Sequence, residues 1–402
     1  MLTIKIFAIN ILNMIEISPN ILCGGSGPRL WSLSRTGFPT EFLFLTRNES
    51  QFQEAAQRLA ALGKDSIKVA APVIVSGEDR RFLASEQLRE VCIVLGVALL
   101  EPAGRNTAPA LTLAAVQNGQ DPVLVLSPAD QTIDRPAAFT AAVQRAIAQA
   151  EQGNIVILDV TPEKPETGYG FIRTAKSSSA SPSAMPDQIR SAPLCANVLN
   201  VAAFVEKPSL QTAQKYLSEG GYYWNAGISV LKASVWLAAI EHFVPAILQS
   251  TRAAWDARKT DGSFVRPGKA EFEAISSESV NYAVMEHCPG SEFPIQMVPL
   301  DAGWNDLGAW GAVWQVQSKD AQGNAHVGDV LHTDRHYLGA RQPSPGGDDG
   351  VERLGGGRDG RCRAVGQQGK QPRRETHRQP THRTKARRTN PAPKSAPSLG
   401  LV

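Results

Sequence analysis

Gly24-Gly25-Ser26-Gly27-Pro28-Arg29 follows directly on the apolar run Ile21-Leu22-Cys23. Glycines let a turn adopt strained dihedrals and let backbone close on a ligand, successive N–H groups converge on anionic oxygens, and Arg29 adds a fork of donors with permanent charge. That combination suits a polyphosphate. The run lacks the Lys-Ser/Thr ending of a P-loop, and a glycine cluster alone also serves a plain turn. Asp130 follows the apolar run Val123 to Leu126, and Asp306 lies within Gly303-Trp304-Asn305-Asp306. Such carboxylates are hard oxygen donors that suit Mg²⁺ once phosphate oxygens complete the shell, although an Asp after a strand also caps turns.

The elements that must position these residues are written in the hydrophobic pattern. Ile17 to Cys23, Ala71 to Ser76, Val123 to Leu126 and Ile155 to Leu158 read as strands, alternating with helical patterns over Gln53 to Leu62, Arg81 to Leu95, Ala108 to Gln117 and Ala137 to Glu151. This alternation predicts a doubly wound α/β sheet with ligands beyond the carboxyl ends of its strands. Lys176 to Pro193, rich in Ser, Ala and Pro, reads as a loop. Leu210 to Ser218 and Ser234 to Phe243 read as helices, Ile228 to Leu231 as a strand, and Phe243 to Ser279 as mostly helical.

The 402 residues, 42% hydrophobic, are enough for a sizeable core. The net charge of +3 hides an asymmetry: Arg341 to Val402 holds 14 Lys and Arg against 5 Asp and Glu, so the remainder is mildly acidic at −6. An acidic body argues against a nucleic-acid substrate. The basic tail could hold nucleic acid only by salt-sensitive, unspecific attraction. Five scattered cysteines suit a reducing compartment and offer no zinc spacing. Asn10 and Asn13 interrupt the apolar start, which is too short to span a bilayer. The expectation is a cytoplasmic protein without a membrane partner.

Beyond the glycine loop come Leu30-Trp31-Ser32-Leu33-Ser34-Arg35 and Phe38-Pro39-Thr40-Glu41-Phe42-Leu43. Later blocks are Glu101-Pro102 with Gly104 to Pro109, Pro128-Ala129-Asp130, Glu166 to Ile172, Phe204-Val205-Glu206-Lys207-Pro208, Tyr223 to Gly227, Tyr282 to Glu286 and Gly303 to Asp306. In order and spacing these resemble the bacterial mannose-1-phosphate guanylyltransferases, the nucleotidyltransferase part of the type II isomerase/guanylyltransferase family. The resemblance implies a Rossmann-like nucleotidyltransferase fold with a mixed central sheet over residues 17–330, after an extension at residues 1–16. It implies transfer of GMP from GTP to mannose-1-phosphate, giving GDP-mannose and pyrophosphate for polysaccharide or glycoconjugate synthesis. No covalent intermediate is needed, so the protein's task is positioning and charge stabilisation. Carried onto this chain, Arg29 steadies the transferring phosphoryl group and Lys207 meets the sugar phosphate, as the two catalytic residues. Gly24, Gly25, Ser26, Gly27, Gln87, Arg105 and Asn106 face the nucleotide, and Gly168, Tyr169, Glu206 and Asn225 face the sugar. Asp130 and Asp306 hold Mg²⁺. Asn106-Thr107 before an Ala-rich run reads equally well as a helix cap, and Gln87 on a helix also reads as a solvent-facing residue.

Several positions depart from the family pattern. Thr40 stands where the family has Lys and Glu41 where it has Gln; Pro28 replaces Thr and removes a backbone donor; Ser32, Gln131 and Asn281 replace Pro, His and Asp. Losing one charged transition-state contact costs on the order of hundredfold in rate. The alternatives are therefore a nucleotide-sugar-binding homologue with impaired catalysis, or a related hexose-1-phosphate nucleotidyltransferase. A homo-oligomer is compatible with the sequence. After about His336 the text turns to Gly, Arg, Pro, Gln and Thr, so residues 331–402 are expected to be a disordered, low-complexity basic tail without the family's metal-dependent isomerase motif. That switch reads like translation of a GC-rich gene in the wrong frame, which re-reading the coding DNA tests.

Overall fold

A computed structural model describes residues 14–25, 30, 34–35, 37–45, 48–64, 66–119, 121–175, 198–308, 310–319, 321, 325–327, 338–340, 352–356 and 362–365. The expected loop at Lys176 to Pro193 lies outside them, as do Ser26, Gly27, Pro28, Arg29 and Ser32.

Strands β1 (Ile15–Cys23), β2 (Ile67–Val69), β3 (Val73–Gly77), β4 (Val97–Glu101) and β5 (Val123–Pro128) come first, followed by β6 (Thr132–Ile133), β7 (Ile155–Val160) and β8 (Phe171–Thr174). After them come β9 (Leu199–Val205), β10 (Tyr222–Lys232), β11 (Lys259–Asp261), β12 (Phe264–Arg266), β13 (Ile295–Pro299) and β14 (Trp304–Asn305). The main sheet runs β11-β12-β4-β3-β1-β5-β10-β7-β13-β9-β8, with β2 beside β1 and β8 also paired to β10. Neighbours from β12 to β5 are parallel, whereas β10 is antiparallel to β5, β7 and β8. The sheet is therefore mixed, as expected.

Side chains alternate across it. Leu124 and Leu126 of β5 enter the core on one face with Leu111, Trp236 and Phe272, while Val123 and Val125 enter the core on the other with Phe52, Phe139 and Ile147. A sheet buried on both sides explains the continuous apolar runs that mark its strands in the sequence. Helix Thr107–Gln117 is apolar around its circumference for the same reason and is buried along most of its length.

Two segments differ from expectation. Phe243 to Ser279 is not mostly helical: after helix Pro245–Asp256 the hairpin β11–β12 extends the sheet beside β4, because Asp261-Gly262 turns the chain with Gly262 at φ +57°. Within the tail, β16 (Leu338–Ala340), β17 (Glu352–Gly356) and β18 (Cys362–Val365) follow β15 (Ala325–Val327) in a separate four-stranded sheet of order β15-β16-β17-β18. Backbone pairing of this kind requires no apolar periodicity, which is why composition did not announce it. Among the described residues, no helix is long and apolar enough to cross a membrane.

Candidate active site

The parallel strands β4, β3, β1 and β5 end level with one another. Register sets Ser76 beside both Cys23 and Leu100, Gly77 beside Glu101, and Leu22 beside Pro128. Beyond these ends lies a cavity of about 300 Å³ to which Gly24, Gly25, Glu41, Glu101, Arg105, Asn106 and Asp130 all contribute, with Leu22, Val75 and Ala110 as its apolar floor. Glu101 on β4 and the residues after β5 are three strand spacings apart, roughly 14 Å. The glycines after β1 lie between them.

Gly24 and Gly25 stand at this mouth, and among the described residues no atom lies within 4 Å of where a Cβ would project. Asn106 caps the helix from φ +68°, its side chain accepting from the Thr107 N–H at 2.9 Å, and it also lines the cavity. Arg105 lines the same cavity and donates to the Glu273 carbonyl. Gln87 does not line it. Its side chain is buried, accepting from Ser50 Oγ at 2.6 Å and donating to the Phe42 carbonyl at 3.2 Å, so it neither faces solvent nor reaches the cavity.

Two acids of this cavity, Glu41 and Glu101, received no site role from the sequence. Glu41 is buried and sits 3.5 Å from Arg80, also buried, which in turn donates to the Cys23 carbonyl at 2.8 Å. Burial pushes Glu41 up to about 7, and the nearby Asp130 charge adds to the rise. Glu101 is pushed up to about 8 by burial against the opposing pull of Arg80, and its Oε1 has no hydrogen-bond partner among the described residues. The signal for Glu101 was present: an acid ends the apolar strand Val97-Ala98-Leu99-Leu100 immediately before Pro102.

Asp306 arrives from the other side. β14 pairs antiparallel with β6 through Trp304↔Ile133 and Asn305↔Thr132. Continuing that register by one residue sets Asp306 opposite Gln131, the neighbour of Asp130. Asp306 Oδ1 accepts from Tyr169 Oη at 2.8 Å and from the Gly308 N–H at 3.2 Å. Among the described residues no group of three or more His, Cys, Asp or Glu could hold a metal alone. Asp130 precedes β6 and Asp306 follows β14, the two strands of this pair, and each supplies hard carboxylate oxygens of the kind that suits a divalent cation.

The sugar-side residues gather around Gly170. A Cβ there would meet Glu206 Oε2 at 2.8 Å, so that any other residue would displace the Glu206 carboxylate, and would stand in ordinary contact with Asn225 Cβ at 3.8 Å. Asn225 sits at a register shift in β10, and its Oδ1 accepts from the N–H of Gly227 at φ +70°. Lys207 is exposed at 65%, lies 3.4 Å from Glu206, and adopts φ +42°, a region that side-chain-bearing residues rarely occupy. Gly168 is exposed, with its N–H donating to Glu166 Oε1 at 3.3 Å.

Comparison with known proteins gives these observations a context. The chain is 42% identical over 324 residues to the xanthan biosynthesis protein XanB of Xanthomonas campestris pv. campestris, covering 80% of this chain and 64% of that protein. It is 37% identical over 330 residues to the mannose-1-phosphate guanylyltransferase of Escherichia coli K12, covering 80% and 65%. It thus spans just under two thirds of the length of these curated relatives. A solved structure from Thermus thermophilus, described as mannose-1-phosphate geranyltransferase, has the same fold, with a TM-score of 0.64 and 23% identity over 84% of this chain and 95% of that one. The family described as nucleotidyl transferase matches residues 18–323. With that match over most of its length, the chain belongs to the nucleotidyl transferase family.

Proposed function

We propose that the protein transfers GMP from GTP to mannose-1-phosphate, releasing pyrophosphate and forming GDP-mannose for polysaccharide or glycoconjugate synthesis. The single observation that carries this reading is one cavity holding Gly24 and Gly25 for phosphates, Asp130 for a cation and Glu101 for a base, spread across the ends of β4, β3, β1 and β5. The names of the relatives, among them mannose-1-phosphate guanylyltransferases and the alginate biosynthesis protein AlgA of Pseudomonas aeruginosa, supply the substrate class.

Glu101 selects guanine. Guanine alone among the common bases presents two adjacent donors, N1–H and the 2-amino group, and the Glu101 carboxyl, drawn into its ionised form once those donors bind it, offers two matching acceptors. Leu22, Val75 and Ala110 provide the apolar surface for the ring. Arg29 and the backbone beside Gly24 and Gly25 hold the phosphates, Arg105 and Asn106 contact the nucleotide, and Glu206, Asn225, Gly168 and Tyr169 surround the sugar with Lys207 at its phosphate. Nucleotidyltransferases of this family use a divalent metal; Asp130 and Asp306 would hold Mg²⁺, which when bound offsets phosphate charge and lends Lewis acidity. This chain's own residues bring two anions together in line and keep them oriented.

The test is pyrophosphate release with mannose-1-phosphate and either GTP or ITP, which lacks the 2-amino donor. Wild-type protein should favour GTP by roughly 5- to 150-fold in kcat/KM, one lost hydrogen bond to a charged group being worth about 1–3 kcal/mol. Glu101→Gln should lower kcat/KM for GTP by a similar factor and remove most of the preference. Equal use of GTP and ITP by the wild type would sink the assignment of Glu101.

A second reading, ligand binding with impaired turnover, is favoured by Thr40, which is buried beside Glu41 where a cation is expected. Under that reading Thr40→Lys raises turnover by about hundredfold; equal turnover in both proteins rejects it.

A further inference from the structure

A second cavity, about 570 Å³, lies beyond the carboxyl ends of β7 and β13 and shares only Tyr169 with the residues assigned above to the reaction. Its volume falls in the ~300–1,000 Å³ range of small-molecule sites. One wall is aromatic: Tyr169 packs edge-on against both Trp224, at 5.3 Å between ring centroids, and Trp304, at 5.5 Å. Trp224 is only 6% exposed, and the indole N–H groups of Trp224 and Trp304 find no acceptor among the described residues. Asp134, Glu163 and Asp301 outnumber Arg135 and Lys164 around the opening. Both cations are already matched, Arg135 with Asp301 and Lys164 with Glu166 at 3.4 Å.

An excess of acids excludes selection for an anion. Carboxylates that accept hydroxyl protons, buried indole N–H groups that need an oxygen, and aromatic faces that receive C–H groups together specify an uncharged, hydroxyl-rich ligand. Trp224 and Asn225 are successive residues of β10 and point to opposite faces of the sheet. The cavity is therefore on the other side of β10 from Asn225, and it shares Tyr169 with the bond to Asp306. We infer that this cavity binds an uncharged carbohydrate at a site separate from the sugar phosphate being transferred, and that occupancy bears on Asp306 through Tyr169. The separateness of this site rests on the placement of the sugar at Asn225 and Glu206 proposed above, and its effect on turnover rests on that reaction.

Ligand-observed saturation-transfer NMR tests the site, with methyl α-mannopyranoside, methyl α-glucopyranoside and maltose titrated onto the full chain, with and without saturating GDP-mannose and Mg²⁺. Thr161→Trp narrows the cavity; Glu163→Gln removes an acceptor at constant size and keeps the test decisive should the first variant not fold. At least one saccharide should show saturable binding that GDP-mannose leaves in place and that weakens at least fivefold in either folded variant. The same saccharide should change wild-type kcat at least twofold. No saturable binding, full displacement by GDP-mannose, or undiminished binding in both variants overturns the site, and binding that leaves kcat unchanged overturns the link through Tyr169. Saccharide binding as expected in a protein that never releases pyrophosphate would count against the proposed reaction and not against the cavity.

Discussion

Glu41 illustrates how far a residue's chemistry depends on its surroundings. Read along the chain, an acid in place of a neutral amide beside a phosphate loop looks like added repulsion. In the fold it faces Arg80 at 3.5 Å, both side chains are buried, and burial raises its pKa to about 7, so much of the charge is either paired or absent at neutral pH. Glu101 goes further in the same direction, at about 8. Because its folded pKa is raised, the unfolded chain ionises first, near the ordinary carboxylate value of about 4.3, and the folded state follows only near pH 8. Wild-type stability should therefore fall as pH rises between those values, and the slope should be shallower in Glu101→Gln. Thermal midpoints of the two proteins at pH 5, 6, 7 and 8 check this: the difference between variant and wild type should grow in the variant's favour up to about pH 8. A constant difference would mean that Glu101 titrates normally.

Among the elements, helix Gln51–Ala60 is the one on which the cavity wall leans. Ser50 caps it, accepting from the Gln53 N–H at 3.1 Å while Gln53 Oε1 accepts from the Ser50 N–H at 2.9 Å. The same Ser50 hydroxyl donates to Gln87, which holds the Phe42 carbonyl and with it the short turn Thr40–Phe42 that carries Glu41. Gln87 thus reaches the site through packing rather than contact. Ser50→Ala removes the cap and leaves Gln87 Oε1 without this donor, and should cost about 1–2 kcal/mol in denaturant-determined stability. Loss of less than about 0.5 kcal/mol would show that the capping box is replaceable by solvent.

The whole molecule divides its charge unevenly, with an acidic body and a tail whose 14 basic residues face 5 acidic ones. The small β15–β18 sheet is distinct from the main sheet that carries the site. A chain ending at Val365 should release pyrophosphate at the wild-type rate, and the full chain should be retained on single-stranded DNA resin at low salt while the shortened one is not. Retention that survived about 0.5 M salt would indicate recognition beyond charge, since screening at that strength removes most unspecific attraction.

What the sequence by itself determined is the alternation of strands and helices, because burial on both faces imposes apolar runs of strand length between helical periods. The glycine cluster after β1, the acid after β5 and the Asn106 cap were legible for the same reason: each depends on its immediate neighbours along the chain. Tertiary structure alone decided which distant residues meet. Nothing local foretells that Arg80 answers Glu41, that Tyr169 holds Asp306 across 137 positions, or that the Glu206 carboxylate comes to lie over Gly170. Those contacts follow from strand order and register, which are set by the packing of the entire sheet and cannot be read from any one segment.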